Sequence, residues 1–69
     1  MAEKLSNFRV SVGHGMSGYF AVLLVDVTDE LGYKYTDVQQ TGIGRYKSYD
    51  RACEEAREWA TAESLSCDA

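Results

Sequence analysis

The sequence predicts an α+β domain in which three antiparallel strands form one sheet and a C-terminal helix packs across one of its faces. Two segments in the first half are rich in β-branched and aromatic residues, as strands are. The glycine-rich stretch GHGMSG lies between them, where a hairpin would turn. The last third of the chain instead repeats apolar residues at helical spacing.

The three strands are assigned from their side-chain patterns. The first is predicted at residues 8–12, FRVSV, where apolar and polar side chains alternate. The second, YFAVLLVDV at residues 19–27, is predicted to be a central strand that is covered on both faces. A turn at Asp29 to Gly32, within TDELGYKY, leads to a third strand at residues 36–46, in which two glycines suggest a bend or a bulge.

A helix is predicted over residues 49–64. Ser48 has the character of an N-cap, and Asp50 places a negative charge near the positive end of the helix dipole. The apolar side chains fall in an arc of about 120° when successive residues are placed 100° apart. They are Tyr49, Ala52, Cys53, Ala56, Trp59 and Ala60. The alanines let the helix lie close to the sheet, and Trp59 is its large anchor.

GHGMSG has the G-x-G-x-x-G spacing of a nucleotide-binding loop. A dinucleotide-binding loop requires a helix after the glycines, whereas a strand follows them here. A kinase-type loop does join two strands, but it requires a strand lysine, and YFAVLLVDV contains none. We therefore predict a turn, with phosphate contact as the alternative, that presents His14 and Met16 at an exposed tip.

The cysteines, histidine and serines argue against a disulfide, a metal site and catalysis. Cys53 falls on the predicted helix and Cys67 in a polar tail, so we do not expect a disulfide. His14 is the only histidine, and a structural zinc site would lack its ligands. No G-x-S-x-G motif marks a nucleophile. We predict that the protein is not an enzyme and requires no cofactor.

Length and hydropathy predict one small domain without a membrane segment. No apolar run approaches the roughly 20 residues that span a bilayer, and the N-terminus lacks the pattern of a signal peptide. We expect a single domain over residues 1–69, with flexible termini at 1–7 and 66–69, that stays in the cytoplasm of the cell that makes it.

The net charge of −4 is confined to the last third of the chain. Residues 1–47 contain five basic and five acidic residues, whereas residues 48–69 contain two arginines and six acids. Glu54, Glu55 and Glu58 occupy an arc of about 100° opposite the apolar stripe of the helix. Two interpretations remain open: a solvated helix face, or a negative patch that docks on a basic surface of another protein.

Tyrosines are numerous for a chain of this length. Because one helix covers one sheet face, we expect Tyr19, Tyr33, Tyr35 or Tyr46 on the open face or its edge. Aromatic side chains there can stack on single-stranded nucleic acid, but the acidity of the chain would repel phosphates. Tyrosine is also enriched at protein interfaces. The predicted partner-binding residues are Glu54, Glu55, Glu58, Tyr33, Tyr35 and Tyr46.

Residues 8–65 resemble the very small proteins that phages and prophages encode, including some anti-CRISPR proteins. The resemblance lies in the hairpin FRVSVGHGMSGYFAVLLVDV, the strand QQTGIGRY and the acidic, alanine-rich helix YDRACEEAREWATAES. It implies an inhibitor in the host cytoplasm that blocks the basic surface of a nucleic-acid-handling complex, such as a CRISPR-Cas component. These inhibitors share no common motif, so the resemblance implies no site residue.

Three functions are compatible with these features. The leading hypothesis is a non-catalytic inhibitor or adaptor that binds a partner protein with a basic surface. The alternatives are a small module that binds single-stranded nucleic acid and a homodimeric structural protein.

Overall fold

The computed structural model describes residues 3–68, in which one helix packs against one face of a four-stranded sheet. The elements in chain order are β1 (Lys4–Gly15), β2 (Gly18–Thr28), β3 (Lys34–Thr41), α1 (Tyr49–Glu63) and β4 (Ser66–Cys67). The strand order in the sheet is β3-β2-β1-β4. Within the same residues, no helix is long and apolar enough to cross a membrane.

The sheet is mixed, which corrects the prediction of three antiparallel strands. β1, β2 and β3 are antiparallel neighbours as expected, but β4 pairs with β1 in parallel. Ser64 ends α1 in the left-handed conformation, with φ 57° and ψ 41°, and the chain then returns to the edge of β1. The backbone N–H of Asp68 donates to the carbonyl of Val10 at 2.8 Å. A strand of two residues has no periodic pattern by which the sequence could indicate it.

The ends of the described chain lie in the sheet, although the sequence predicts flexible termini there. Residues 4–7 belong to β1 and residues 66–67 to β4. The long pairing of β1 with β2, which begins at Lys4 and Thr28, accounts for the first segment. Residues 1, 2 and 69, also assigned to the termini, lie outside the described residues.

A two-residue turn joins β1 to β2, which confirms that GHGMSG turns the chain. Gly18 has φ +117°, and a Cβ at this position would lie 2.4 Å from the carbonyl oxygen of Tyr46. Met16 is exposed at the tip. His14 is not at the tip, because it lies within β1 and stacks on Tyr19 with 4.4 Å between the ring centroids.

The connection from β2 to β3 confirms the predicted turn at Asp29–Gly32. The Asp29 Oδ1 atom accepts hydrogen bonds from the backbone N–H groups of Leu31 at 2.9 Å and Tyr33 at 3.0 Å. Gly32 has φ +89°, a conformation that glycine adopts without strain. β3 then begins two residues earlier than predicted and ends before Gly42.

α1 closely matches the prediction, ending at Glu63 instead of Ser64, and its alanines contact the sheet. Ser48 has the extended backbone of an N-cap but makes no side-chain capping hydrogen bond. Trp59 borders the core cluster and is half-buried, so the alanines and not the tryptophan form the centre of the contact. The cluster comprises Val10, Ala21, Leu23, Ala56 and Ala60.

The helix covers only part of one sheet face. Within residues 3–68 it packs on β1, β2 and β4 and does not contact β3. All eight residues of β3 are exposed. The prediction that β2 is covered on both faces holds only in part, because the single helix lies on one side. On the other side Val22 is buried, whereas Leu24, Asp26 and Thr28 are half-buried.

Candidate functional site

The register of the sheet decides which side chains lie on the face that carries the helix. Directly opposite residues in antiparallel neighbours point to the same side, and alternate residues of one strand share a face. Leu23 belongs to the core beneath the helix, so Val25 and Val27 of β2 lie on the same side. The β3 residues opposite these three are Gln40, Asp37 and Tyr35.

Because the helix does not contact β3, this row of side chains forms an uncovered surface beside the helix, which we call the ledge. It extends over six residues from Tyr35 to Gln40, and the five steps between them span about 17 Å at 3.3 Å per residue. The ledge has a groove at one end, bordered by Ile43, Tyr46, Glu55 and Trp59. An aromatic patch that comprises Leu5, Leu31, Tyr33 and Tyr35 lies at the other end.

The groove forms where residues 42–46 pass beside the helix. Its open volume is about 560 Å³. Tyr46 anchors this segment to the hairpin by a pair of backbone hydrogen bonds with Tyr19, at 2.7 and 2.9 Å. Ile43 is 99% exposed and forms one wall of the groove. Trp59 forms another, and its indole N–H donates to the carboxylate of Glu63 on the next turn of the helix.

Glu55 places a carboxylate inside the groove. The hydroxyl of Tyr46 donates to the Glu55 Oε1 atom at 2.7 Å, and this hydrogen bond, with partial burial, raises the pKa of Tyr46. Gly42 and Gly44 leave the space that the carboxylate occupies, because a Cβ at either position would lie 2.1 or 2.5 Å from a carboxylate oxygen. Within residues 3–68, no lysine or arginine forms an ion pair with Glu55.

The aromatic patch lies beyond the C-terminal end of the helix. Tyr33, Leu31 and Leu5 are exposed, and Leu5 shares a row with Val27 and therefore with Tyr35. The hydroxyl of Tyr35 donates to the Glu3 carboxylate at 3.2 Å. Partial burial and the nearby Glu3 charge raise the pKa of Tyr35. The patch thus combines apolar surface with carboxylates at its rim.

The structure places the six predicted site residues in three locations. Glu55 and Tyr46 are in contact at the groove, and Tyr33 and Tyr35 lie in the aromatic patch at the opposite end of the ledge. Glu54 and Glu58 are exposed on the helix. The charge of Glu58 also contributes to the raised pKa of Tyr46.

The tyrosines are predicted on the open sheet face or its edge. Tyr35 does lie on the edge strand β3, with its side chain on the helix side. The structure corrects the prediction for Tyr19 and Tyr46, which also lie on the helix side. They remain accessible because the helix leaves part of that side uncovered. Ile43, Leu5 and Leu31 were not predicted as site residues. The glycines on both sides of Ile43 are the one signal that could have indicated an exposed loop.

The open face of the sheet carries several basic side chains beside the carboxylate of Asp26. Phe20 lies on this face, and the Arg45 guanidinium is 4.5 Å from its ring centroid. The Arg45 NH1 group donates to the carbonyls of Gly42 at 2.8 Å and Gly44 at 3.0 Å, which holds the guanidinium in place. Lys4 and Lys34 are both paired with Thr28 at the far end of the same face.

Neither thiol is in a disulfide; Cys53 is buried and Cys67 half-buried. In the part of the chain that the structure describes, no three His, Cys, Asp or Glu side chains lie together as metal ligands would. Comparisons with protein families, curated proteins and solved structures found no match for this chain. Its own geometry and charge are therefore the basis on which a function can be assigned.

Proposed function

We propose that the protein is a non-catalytic inhibitor or adaptor that docks on a basic surface of a partner protein through the ledge. One observation supports this proposal above the others. The ledge is a continuous strip, left uncovered by the helix, that carries exposed aromatic side chains at one end and a carboxylate groove at the other. Asp37 lies between them.

The chemistry of the ledge suits a protein partner. Aromatic side chains are enriched at protein interfaces, and carboxylates on one surface favour a partner with positive charge. A stable interface usually buries about 800 Å² on each side. The principal extents of the molecule are 40 × 27 × 16 Å, so its broad side is large enough to supply that area.

The form of inhibitor that we propose follows the resemblance to small phage-encoded proteins of the anti-CRISPR type. A protein of this kind would cover a basic, nucleic-acid-binding surface of a host complex such as a CRISPR-Cas component. Glu54 and Glu58, both exposed on the same helix as Glu55, would extend the negative surface toward such a partner.

Site-specific photo-crosslinking in the native host tests this proposal. A benzoylphenylalanine at Tyr35 would lie on the ledge, and one at Val38 would lie on the opposite face of the same strand. The two native side chains are equally exposed, at 49% and 50%, so Val38 is a matched control. We expect the benzoylphenylalanine at position 35 to crosslink to one host protein, and an excess of the unlabelled protein to reduce this crosslink. The benzoylphenylalanine at position 38 should not crosslink to that protein. Crosslinks from Val38 alone would contradict docking through the ledge.

A second candidate function has an observation in its favour, namely the open sheet face. Arg45 stacked on Phe20, together with Lys4 and Lys34, offers a stacking surface and positive charge for single-stranded nucleic acid. The net charge of −4 opposes this interaction over longer distances. Fluorescence anisotropy with labelled oligonucleotides at low salt tests it. Saturable binding that Arg45→Gln weakens would favour this function, and no binding would exclude it.

A further inference from the structure

We propose that the groove at the end of the ledge receives an arginine side chain of the partner, with its guanidinium group against the Glu55 carboxylate. This inference rests on the proposed function and names the chemistry of the residue that enters the ledge. It follows from the charge of the groove, the character of its walls and the way in which the carboxylate is held.

Glu55 retains much of its capacity to accept hydrogen bonds. A carboxylate has room for about four donors, and the Tyr46 hydroxyl occupies one position on the Oε1 atom. No basic side chain within residues 3–68 neutralises it through an ion pair. Arg51 lies over the Tyr46 ring, 5.9 Å from its centroid, and forms no ion pair with Glu55. The half-buried carboxylate therefore favours a cation that enters from outside.

The walls of the groove match the rest of an arginine side chain. Ile43 is aliphatic and Trp59 presents an indole ring, and both line the groove with Tyr46. An arginine combines an apolar stem with a planar guanidinium group that stacks on aromatic rings and donates two parallel hydrogen bonds to a carboxylate. A lysine ammonium would meet the charge of Glu55 but would not use the aromatic wall in the same way.

The position of the carboxylate is set before a partner arrives. Gly42 and Gly44 leave space for its two oxygens, and the Tyr46 hydroxyl fixes one of them. Trp59 is held in turn by its hydrogen bond to Glu63. Such an arrangement reduces the ordering that binding would otherwise require. A single carboxylate offers too few ligands for a metal ion, and it repels an anion.

Peptide titrations followed by NMR test this assignment without the natural partner. The probes are acetyl-Gly-Arg-Gly-amide and the same peptide with citrulline, which keeps the shape of arginine but lacks its charge. We expect saturable shifts of the Trp59 indole N–H and the Gly42 and Gly44 amides with the arginine peptide. The citrulline peptide should bind at least about fivefold more weakly, because the charged hydrogen bond is lost.

Two variants with the same change of charge separate the groove from the general acidity of the helix. Glu55→Gln should weaken binding of the arginine peptide by about fivefold or more, because the carboxylate itself is replaced. Asp50→Asn, an exposed acid in the first turn of the same helix, should change it by less than about twofold. Equal losses in both variants, or equal shifts with arginine and citrulline, would overturn the inference.

Failure of this inference would be distinct from failure of the proposed function. Absence of shifts at Trp59, Gly42 and Gly44 with the arginine peptide would overturn the groove assignment, whereas the Tyr35 crosslink reports on docking independently. A groove that binds the peptide in a protein whose Tyr35 position captures no host partner would instead overturn the proposed function.

Discussion

Tyr46 and Glu55 are the two predicted site residues that the structure brings into direct contact. The Tyr46 hydroxyl donates a hydrogen bond to the Glu55 carboxylate, so ionisation of the tyrosine would place two negative charges side by side. This raises the pKa of Tyr46 above its ordinary value of 10.0. The contact therefore stabilises the fold below that ordinary value, and the stabilisation is lost as pH rises through the raised pKa.

The first prediction concerns this pKa. Glu55→Gln should bring the pKa of Tyr46 back toward 10.0, because an uncharged amide no longer opposes ionisation. Glu54→Gln should leave it where it is. NMR titration of ring-labelled tyrosine measures both variants. A raised pKa that persists in Glu55→Gln would show that burial, not the carboxylate, is its cause.

Asp26 organises the far half of the open sheet face. Its carboxylate accepts hydrogen bonds from Asn7 Nδ2 at 3.0 Å, Arg9 NH1 at 3.1 Å and Thr36 Oγ1 at 3.0 Å. Hydrogen bonds from Asn7, Thr36 and Arg9 hold the pKa of Asp26 below its ordinary value of 3.8. The network spans β1, β2 and β3, so it ties the three longest strands together.

The second prediction follows from that lowered pKa. Asp26 should stabilise the fold above its unfolded-state pKa, and this stabilisation should be lost as pH falls through the folded-state value. Asp26→Asn should therefore be less stable than the natural protein at neutral pH, and the difference should shrink in acid. Urea unfolding at a series of pH values measures the difference. A difference in unfolding free energy that stays constant as the pH is lowered would contradict an ionic role for Asp26.

At the scale of elements, the hairpin and the groove are joined through Gly18. Its φ of +117° and its approach to the Tyr46 carbonyl both require glycine. Gly32 also has a positive φ, of +89°, but nothing lies within 4 Å of its Cβ position. Substitutions at Gly32 therefore test the cost of the backbone conformation alone, whereas substitutions at Gly18 also test the cost of the close contact with Tyr46.

The third prediction uses this pair. Gly32→Ala should cost about 1 kcal/mol of unfolding free energy from its backbone conformation alone. Gly18→Ala should cost clearly more, about 2 kcal/mol or above, because the methyl group also collides with the carbonyl of Tyr46. Chemical denaturation of both variants measures the costs. Equal costs would indicate that residues 42–46 can shift away from the hairpin.

The helix and sheet contact is tested by two identical substitutions. Val10 is fully buried in the core cluster, whereas Val38 is 50% exposed on the open face of β3. Val10→Ala should lower the unfolding free energy by about 2 kcal/mol, and Val38→Ala by less than about 0.5 kcal/mol. Thermal and urea unfolding provide the measurement. Similar losses would mean that something covers the open face.

The elements could be predicted to the extent that each had a local signal. The cap and alanine stripe indicated the helix to within a residue, and the glycine-rich turn and the Asp29 turn were both located. β4 had no such signal, because its two residues are ordered by pairing with β1 and not by their own pattern. Pattern alone also did not indicate that the helix lies on β1 and β2, and this placement creates the ledge.

The candidate site was therefore predicted in its residue types more than in its arrangement. Glu55 and Tyr46 were singled out, but their contact depends on two glycines that the sequence suggested only as a bend or a bulge. Tyr35 was expected to lie on the open face or its edge, and the strand register places it on the helix side. A shift of one residue in the register of β3 would move Tyr35 to the other face of the sheet. The face on which Tyr35 lies is therefore decided by how β3 pairs with β2.

At the scale of the whole molecule, charge is divided between two sides. The helix and ledge carry acidic residues, whereas the open sheet face carries Lys4, Lys34 and Arg45. The exposed edge of β3 is a possible site for pairing with a second copy, as a homodimer would require. Two features of this strand hinder such edge-to-edge pairing: the charged side chains of Lys34 and Asp37, and the irregular register of β3 opposite Leu23 and Leu24. The acidic side is the surface that we expect to meet a partner.

The most direct test of docking through the ledge is the association rate with the host protein that Tyr35 captures, measured at low and high salt. Replacing Glu54, Glu55 and Glu58 together with glutamine should slow association about tenfold at low salt and flatten its salt dependence, because electrostatic steering is lost. Replacing Lys4 and Lys34 with glutamine on the opposite face should not slow it. An unchanged rate in the triple variant, with slower association in the lysine variant, would contradict the account.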